Sequence, residues 1–427
     1  MFVELKKVVV VGGLRIPFSR SMTSYMKVSN QELMTASLKA LVSKYNLNGK
    51  EIGEVSLGAV MKHSSDWNLA RECTMSSGLS PRTPAYDVQQ ACGTSLQTTL
   101  LVGNKIALGQ IEVGIAGGTD TNSDLPFVFP QSFSHKMLEA YRAKDTSSKL
   151  MSFLKIRPSD LKPIAPAVVE PRTGLSMGQS CELMAQQWEI PREAQDELAV
   201  ASHHHAAKAY EEGFYKDLVI PFHGLEKDNN LRPDTSMDKM AKLKPAFERS
   251  EKVTLTAGYS TPLTDGSAAV LLASEDYAQK MGWPILAELT YSQTTAVDFV
   301  KDEGLLMAPA YAVPRMLKRA GLTLQDFDFY EIHEAFAAQV LCTLKAWESE
   351  SFCKERLGLQ KALGSIDRSK LNIKGGSLAL GHPFAATGAR IVASLAKILD
   401  QNGGGRGLIS ICTAGGMGVT AILEKKQ

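Results

Sequence analysis

The sequence predicts an α/β fold made of two similar halves, with a helical insertion in the first. Three observations carry that prediction. β-branched runs alternate with helix-spaced segments toward both ends of the chain. Between about residues 126 and 249 the rhythm breaks, and the sequence turns polar, helical and proline-punctuated. A helix, a glycine-containing turn and a strand ending in Gly-Gly occur twice, as VGIAGG at 113–118 and LISICTAGG at 408–416.

The elements follow in order. Residues 8–11 form a β-branched run closed by Gly12-Gly13, a buried strand. Residues 31–45 have helical spacing and end in the turn Asn46-Leu47-Asn48-Gly49. A strand at 55–61 and a helix at 69–77 come next, with Pro81 and Pro84 in the loop that follows. An apolar lead-in, Tyr86-Asp87-Val88, reaches Ala91-Cys92-Gly93, and a helix then runs to about 108. After the strand at 113–116, this alternation predicts a mostly parallel sheet covered on both faces. Within the insertion, 135–157 is helical and basic, with six Lys/Arg against two acids. The expected arrangement is a solvated helix pair packed on the body of the protein; the sharper reading is a surface for a partner subunit or a membrane. Strand character returns at 253–257, followed by a turn and an apolar strand over 261–272. The remainder alternates again: strand 285–291, helix 312–320, strand 327–332, a helix from Glu334, a helix at 388–399, and strands at 408–412 and 419–423. The expected organisation is a first half at 1–125 completed by 250–282, a helical loop domain at 126–249, and a second half at 283–427.

Composition narrows the function. The 427 residues are 44% apolar and 22% charged, with a net charge of +2. That balance gives no global basic field, so nucleic acid is not an expected partner. No apolar run reaches the ~18 residues of a membrane span, and no leader with a cleavage site opens the chain. The cysteines, Cys73, Cys92, Cys181, Cys342, Cys353 and Cys412, form no CxxC pair. They read as reduced thiols in a reducing compartment, and the expected location is the cytoplasm.

Candidate chemistry sits where strands end, the edge at which open α/β sheets bind ligands. Cys92 lies at a strand-to-helix turn, where free backbone N–H groups and the helix dipole favour a thiolate. Taken alone, it reads more readily as a buried structural cysteine. Three later segments alter the balance: Glu331-Ile332-His333-Glu334-Ala335-Phe336, then Gly381-His382-Pro383 in a glycine-dense loop, then Cys412-Thr413-Ala414-Gly415-Gly416. His333 lacks the second histidine of HExxH, so no zinc motif and no metal site is expected. His203-His204-His205 reads as a solvated helix face. Gly403–Gly407 is a helix-to-strand turn rather than a dinucleotide fingerprint, and no P-loop occurs.

The succession ACGTS, HEAFA, GHPFAATGAR and CTAGGMG resembles the thiolase family over nearly the whole chain. Most thiolases carry Asn where this chain has His333, the first residue of HEAFA. It is similar to the β-subunit branch of the fatty-acid-oxidation trifunctional enzymes, the 3-ketoacyl-CoA thiolases, as are KLKPAF at 242–247 and STPLTDG at 260–266. The resemblance implies a layered αβαβα fold and thiolytic cleavage of a 3-ketoacyl-CoA by CoA. It implies Cys92 as the acyl-carrying nucleophile, His382 as its base and Cys412 as a second acid/base. His333 would join His382 at the enolate oxygen. Backbone N–H groups of Cys92 and the 412–415 turn would hold the tetrahedral oxyanion. CoA enters as co-substrate, with no permanently bound cofactor. Its phosphates need cations, which Arg232, Lys242 and Lys244 supply, and Met177, Gly178 and Thr261 would line the pantetheine channel. The same branch implies a homodimer that assembles with a hydratase/3-hydroxyacyl-CoA dehydrogenase α subunit into a heterotetramer; peripheral membrane contact is an expectation of the basic segment at 135–157. The rival readings are an acetoacetyl-CoA-forming biosynthetic thiolase, a β-ketoacyl synthase and a non-catalytic acyl-CoA carrier.

Overall fold

The computed structural model describes residues 5–167, 169–246 and 253–426. Its strands are β1 (Val8–Arg15), β2 (Ser19–Arg20), β3 (Glu54–Leu57), β4 (Ala85–Asp87), β5 (Val113–Asp120), β6 (Thr264–Ser274), β7 (Ala287–Ala296), β8 (Phe329–Ile332), β9 (Gly405–Thr413) and β10 (Met417–Lys425). The helices up to the insertion are α1 (Asn30–Lys44), α2 (Leu69–Ser76) and α3 (Thr94–Ala107). The insertion holds α4 (Gln131–Arg142), α5 (Thr146–Leu154), α6 (Met177–Gln187), α7 (Arg192–Glu211) and α8 (Met237–Ala241). Beyond it come α9 (Glu275–Lys280), α10 (Ala308–Ala320), α11 (Ala337–Glu348), α12 (Glu350–Glu355), α13 (Ser377–Leu380) and α14 (Thr387–Gln401).

The strands run in the order β4-β3-β5-β6-β1-β7-β10-β9-β8. β3 lies parallel between β4 and β5, and β8 lies parallel to β9. β6 runs against both β5 and β1, and β10 against both β7 and β9. The sheet is therefore mixed and not mostly parallel. Strand–helix alternation forces parallel neighbours only where a helix makes the crossover. β10 instead follows β9 through the tight turn at 414–416, and β6 enters from the insertion.

The order also explains the internal repeat. Outward from β1 the strands run β6, β5, β3, β4; outward from β7 they run β10, β9, β8. A parallel bridge between Tyr330 and Leu371 extends the second half where β4 extends the first. The VGIAGG and LISICTAGG segments are β5 and β9, which occupy matching places.

α3 and α14 also match, and they pack on one another between the halves. α3 reaches β10 as well as β3 and β5; α14 reaches β1 and β6 as well as β9 and β10. Leu96, Leu100, Val102, Ile391, Val392 and Leu395 meet in this central core. Each such side chain contributes about 1.5–3 kcal/mol on burial. α1 starts at a Ser29–Glu32 capping box and lays Met34, Leu38 and Leu41 against Val9 and Val11 on the outer face of the first half. α10 covers β7 and β10 on the outer face of the second. The result is the expected succession of helix, sheet, helix, sheet and helix layers.

Three further expectations need correction. Residues 253–257 form no strand. Thr254 and Leu255 give their backbone N–H groups to the Glu182 carboxylate, and Leu255 and Tyr259 join the helical core around α6. The α4–α5 pair does not bury its apolar face on the body. Ala140 and Ser152 are its buried residues, while Leu138, Leu150 and Met151 are exposed, Tyr141 to 85% and Leu154 to 71%. Finally, the three histidines of α7 do not share a solvated face. His203 is buried and its Nδ1 accepts from the Arg232 N–H at 3.2 Å; His204 meets Thr235 O at 2.9 Å and His205 meets Asn372 O at 3.1 Å.

Candidate active site

Cys92 sits in a 3-10 turn, Ala91–Gly93, at the entry to α3. Ala91 holds φ at +44°, a left-handed conformation that costs a non-glycine residue about 1–3 kcal/mol. That strained step turns the chain so that Cys92 faces the second half. A Cβ on Gly93 would lie 2.8 Å from Val419 Cγ2 and 2.9 Å from Thr413 Cγ2, so the β9–β10 hairpin closes directly on the turn. The backbone N–H groups of Ala414 and of Cys92 itself serve the Cys92 sulfur.

His382 lies in the loop before α14. Its backbone N–H donates to Thr264 Oγ1 at 3.2 Å. Nδ1 lies 2.6 Å from Thr387 Oγ1, and Nε2 lies 3.1 Å from Cys92 Sγ. When Nδ1–H donates to Thr387, Nε2 is the acceptor for the thiol proton. Asp120, at the end of β5, pins this loop. Its carboxylate accepts the Ala385 N–H at 2.8 Å and those of Val60 and Met61 at 2.9 and 2.7 Å.

His333 lies just beyond β8, where its N–H donates to Ser410 O on β9 at 2.8 Å. Its ring centroid is 4.2 Å from that of His382. Nδ1 is 2.9 Å from Ser377 Oγ, which also accepts from Arg390 at 2.8 Å. Nε2 is buried and has no hydrogen-bond partner among the described residues. One ligand-type atom each from Cys92, His333 and His382 lie within 4.8 Å of one another. Cys412, at the end of β9, is buried, and Cys92 is close enough to act on its ionisation.

Burial sets the resting charges. It pushes the Cys92 thiol up to about 12, with Asp120 adding to the rise, and the His382 imidazole down to about 3. His333 is likewise held well below its ordinary value, chiefly by burial. Burial and the Cys92 charge hold Cys412 well above the ordinary thiol. The helix terminus and the two N–H groups favour a thiolate at Cys92, as the sequence suggests, but desolvation outweighs them. Burial of both groups thus favours the neutral thiol–imidazole form of the Cys92–His382 pair.

The thiolase N-terminal domain family matches residues 8–276, and the thiolase C-terminal domain family matches residues 283–425. This chain belongs to the thiolase family. As a thiolase it is an acyltransferase. It is 42% identical over 424 residues to proteins named 3-ketoacyl-CoA thiolase from Yersinia pestis and Yersinia pseudotuberculosis, covering 98% of this chain and 97% of each relative. Its structure is similar to that of the Bacillus anthracis acetyl-CoA acetyltransferase, at 29% identity and a TM-score of 0.82, over 99% of this chain and 100% of that one. It is also similar to human mitochondrial 3-ketoacyl-CoA thiolase, at 29% identity and a TM-score of 0.80 with the same coverage. The CoA complex of the human protein aligns at 27% identity and a TM-score of 0.80, over 99% of each chain.

The other candidate residues of this thiolase lie at varying remove from the cysteine. Met177 opens α6 after a Ser176–Gln179 capping box and packs on the cluster that holds Cys412, Phe336 and Leu378. Thr261 donates to Ala335 O at 3.2 Å, beside the His333 loop. Arg232, Lys242 and Lys244 are exposed and join none of the contacts around Cys92. Sequence reasoning did not single out Asp120, Ser377 or Thr387. It quoted Glu331, Glu334 and Arg390 without giving them work. Glu334 accepts from Ser202 Oγ at 2.7 Å, Asn372 Nδ2 at 2.5 Å and the Leu378 N–H at 3.2 Å, tying α7 to the loop that carries Ser377. Arg390 lies 3.9 Å from Glu331 in the same buried group. The available signal was spacing: Thr387 follows His382 by five positions and Glu334 adjoins His333.

Proposed function

We propose that this thiolase cleaves 3-ketoacyl-CoA with free CoA to give acetyl-CoA and a shortened acyl-CoA, the thiolytic step of fatty-acid β-oxidation. The observation that carries the reading is the 3.1 Å approach of His382 Nε2 to Cys92 Sγ with a second buried thiol, Cys412, alongside. The names and identities of the Yersinia relatives support the substrate class.

In this mechanism the Cys92 sulfur attacks the 3-keto carbon as its proton passes to His382 Nε2. The backbone N–H groups of Cys92 and Ala414 hold the tetrahedral oxyanion. Collapse breaks the C2–C3 bond and leaves an acyl group on Cys92. The departing acetyl-CoA enolate is held at its oxygen by His333 Nε2 and His382, and Cys412 supplies the proton to its carbon. Burial keeps Cys412 in the thiol form that this step requires. The thiol of CoA then attacks the acyl-Cys92 thioester and gives its proton to the Cys412 thiolate; Cys92 leaves as the thiolate, recovers its proton from His382, and the shortened acyl-CoA departs.

Residues 1–125 with 250–282 form the first catalytic half, 283–427 the second, and 126–249 the loop domain that holds CoA. Arg232, Lys242 and Lys244 meet the CoA phosphates, and Met177 and Thr261 flank the pantetheine. No other cofactor is needed. The protein works in the cytoplasm as a homodimer. The exposed apolar and basic α4–α5 face docks the hydratase/3-hydroxyacyl-CoA dehydrogenase subunit.

The test supplies a 3-ketoacyl-CoA series plus CoA and follows loss of the magnesium–enolate absorbance. Loss that depends on CoA, and disappears in Cys92→Ser, is expected. Persistence of the substrate, together with turnover of a malonyl thioester, would favour a decarboxylating condensing enzyme instead.

A further inference from the structure

We propose that Cys92, His333 and His382 together form a binding site for a borderline-soft divalent cation of the zinc class, which occupies and inhibits the catalytic centre. The inhibition rests on the proposed thiolase mechanism; the metal binding does not. Three features converge on one point. The donor set is one cysteine sulfur and two imidazoles, the ligands zinc prefers over carboxylates or water. Their ligand-type atoms lie within 4.8 Å of one another. In a tetrahedral zinc site, bond lengths place neighbouring ligand atoms about 3.3–3.6 Å apart. A small side-chain adjustment from the present spacing therefore accommodates the ion.

The second feature is the state of the histidine nitrogens. His333 is 1% exposed, its Nε2 has no hydrogen-bond partner among the described residues, and its ring supplies one of the three ligand-type nitrogen and sulfur atoms that lie together with those of Cys92 and His382. A buried polar atom left in this way costs free energy that a bound cation would relieve.

The third is the outer shell. Metal-binding histidines ordinarily hold their second ring nitrogen with a hydrogen bond. Here Ser377 Oγ stands 2.9 Å from His333 Nδ1, and Thr387 Oγ1 stands 2.6 Å from His382 Nδ1. Ser377 can accept from both Arg390 and His333 Nδ1–H, because a hydroxyl oxygen has two lone pairs. That orientation presents the Nε2 lone pair. Rotation of the same hydroxyl to donate to Nδ1 presents Nε2–H instead, as an oxyanion requires. One serine thus allows the ring to serve either a metal or the reaction, but not both at once.

Binding breaks the Cys92 S–H bond and the S–H···Nε2 hydrogen bond. It forms one metal–sulfur and two metal–nitrogen bonds and releases the thiol proton to solvent; a water fills the fourth position. No electron is transferred. The ion takes up both the nucleophile and its base, so acyl transfer stops while it stays. A substrate already attached to Cys92 excludes it.

The experiment titrates the whole protein with cobalt(II) alone and reads the thiolate-to-cobalt charge-transfer absorption, then displaces cobalt with zinc. One ion per chain is expected, with absorption lost in Cys92→Ser and, independently, after alkylation of Cys92 in the parent protein. His333→Asn is expected to weaken binding at least tenfold. Loss of thiolysis should follow zinc occupancy and return with a chelator. Absence of the charge-transfer band would overturn the proposal. So would a band that survives Cys92→Ser, or equal affinity in His333→Asn. Because the band needs no turnover, failure of thiolysis with an intact band would refute the functional reading and leave the metal site standing.

Discussion

Ser377 Oγ lies 2.9 Å from His333 Nδ1, and the opposite nitrogen of that ring is buried with no hydrogen-bond partner among the described residues. A donor placed beside the reacting sulfur but idle in the resting structure suits a charge that exists only during turnover. His333→Ala should lower kcat by about 10²–10³-fold, the usual effect of losing one oxyanion donor, with a much smaller change in KM. Ser377→Ala, which acts only through the ring, should cost less. Steady-state thiolysis rates check both, and an unchanged kcat in His333→Ala would remove the donor role.

The neutral Cys92–His382 pair has a signature in the free enzyme. With the thiol pushed up to about 12 and the imidazole down to about 3, the neutral pair is favoured over the thiolate–imidazolium pair near neutral pH. Inactivation by iodoacetamide should keep accelerating with pH beyond the ~8.5 of an unperturbed thiol. A rate that levels off below that value would show a thiolate already formed at rest.

Gly388, the second residue of α14, sits where the central helix pair leaves no room for a side chain. A Cβ there would overlap the backbone nitrogen and Cα of Leu96 in α3. Backbone cannot step aside as a flexible side chain can. Gly388→Ala should therefore destabilise the fold by about 1–3 kcal/mol. The expected result is a lower urea midpoint with an unchanged slope.

Away from the site, His203 predicts a pH effect on stability. Burial lowers its pKa to about 4, with Arg232 adding to the fall. The unfolded chain takes up this proton near pH 6.5 and the folded one only near 4. Stability is then full above about 6.5 and is lost as pH falls through that window, by at most about 3 kcal/mol. His203→Gln keeps an acceptor for the Arg232 N–H and removes the titration. Its unfolding midpoint should fall less steeply on acidification than the parent's.

The α4–α5 face should behave as an interface. Replacing Tyr141 and Leu154, both exposed, with glutamate should abolish association with the hydratase/dehydrogenase subunit and leave thiolysis by the bare enzyme unchanged. Binding of the parent protein to anionic vesicles, lost in the same variant, would assign the face to a membrane instead.

Much of the fold was legible because local pattern and tertiary structure agree. The β-branched run at 8–11 opens β1, and the Gly-Gly segments after 113 and 408 are the matching strands β5 and β9. Strand direction was not legible: β6 and β10 are reversed by how the chain returns to the sheet, which no local pattern records. The stretch at 253–257 has strand composition, but the Glu182 carboxylate takes its N–H groups. Basic amphipathic spacing in α4 and α5 marked an apolar face without revealing that none of the described residues covers most of it. At the site, residue type and strand-end position singled out Cys92, His333 and His382, and they do converge. Their supports were hidden, since Asp120 acts on a loop 265 positions away and Thr264 on one 118 positions away.

The central claim is that Cys92 carries the acyl group. Incubation with a 3-ketoacyl-CoA in the absence of free CoA, acid quench and peptide mass analysis test it directly. The shortened acyl group should be found on the peptide containing Cys92, be discharged by added CoA, and be missing in Cys92→Ser. An acyl group on Cys412 or another residue, or full turnover in Cys92→Ser, would contradict it.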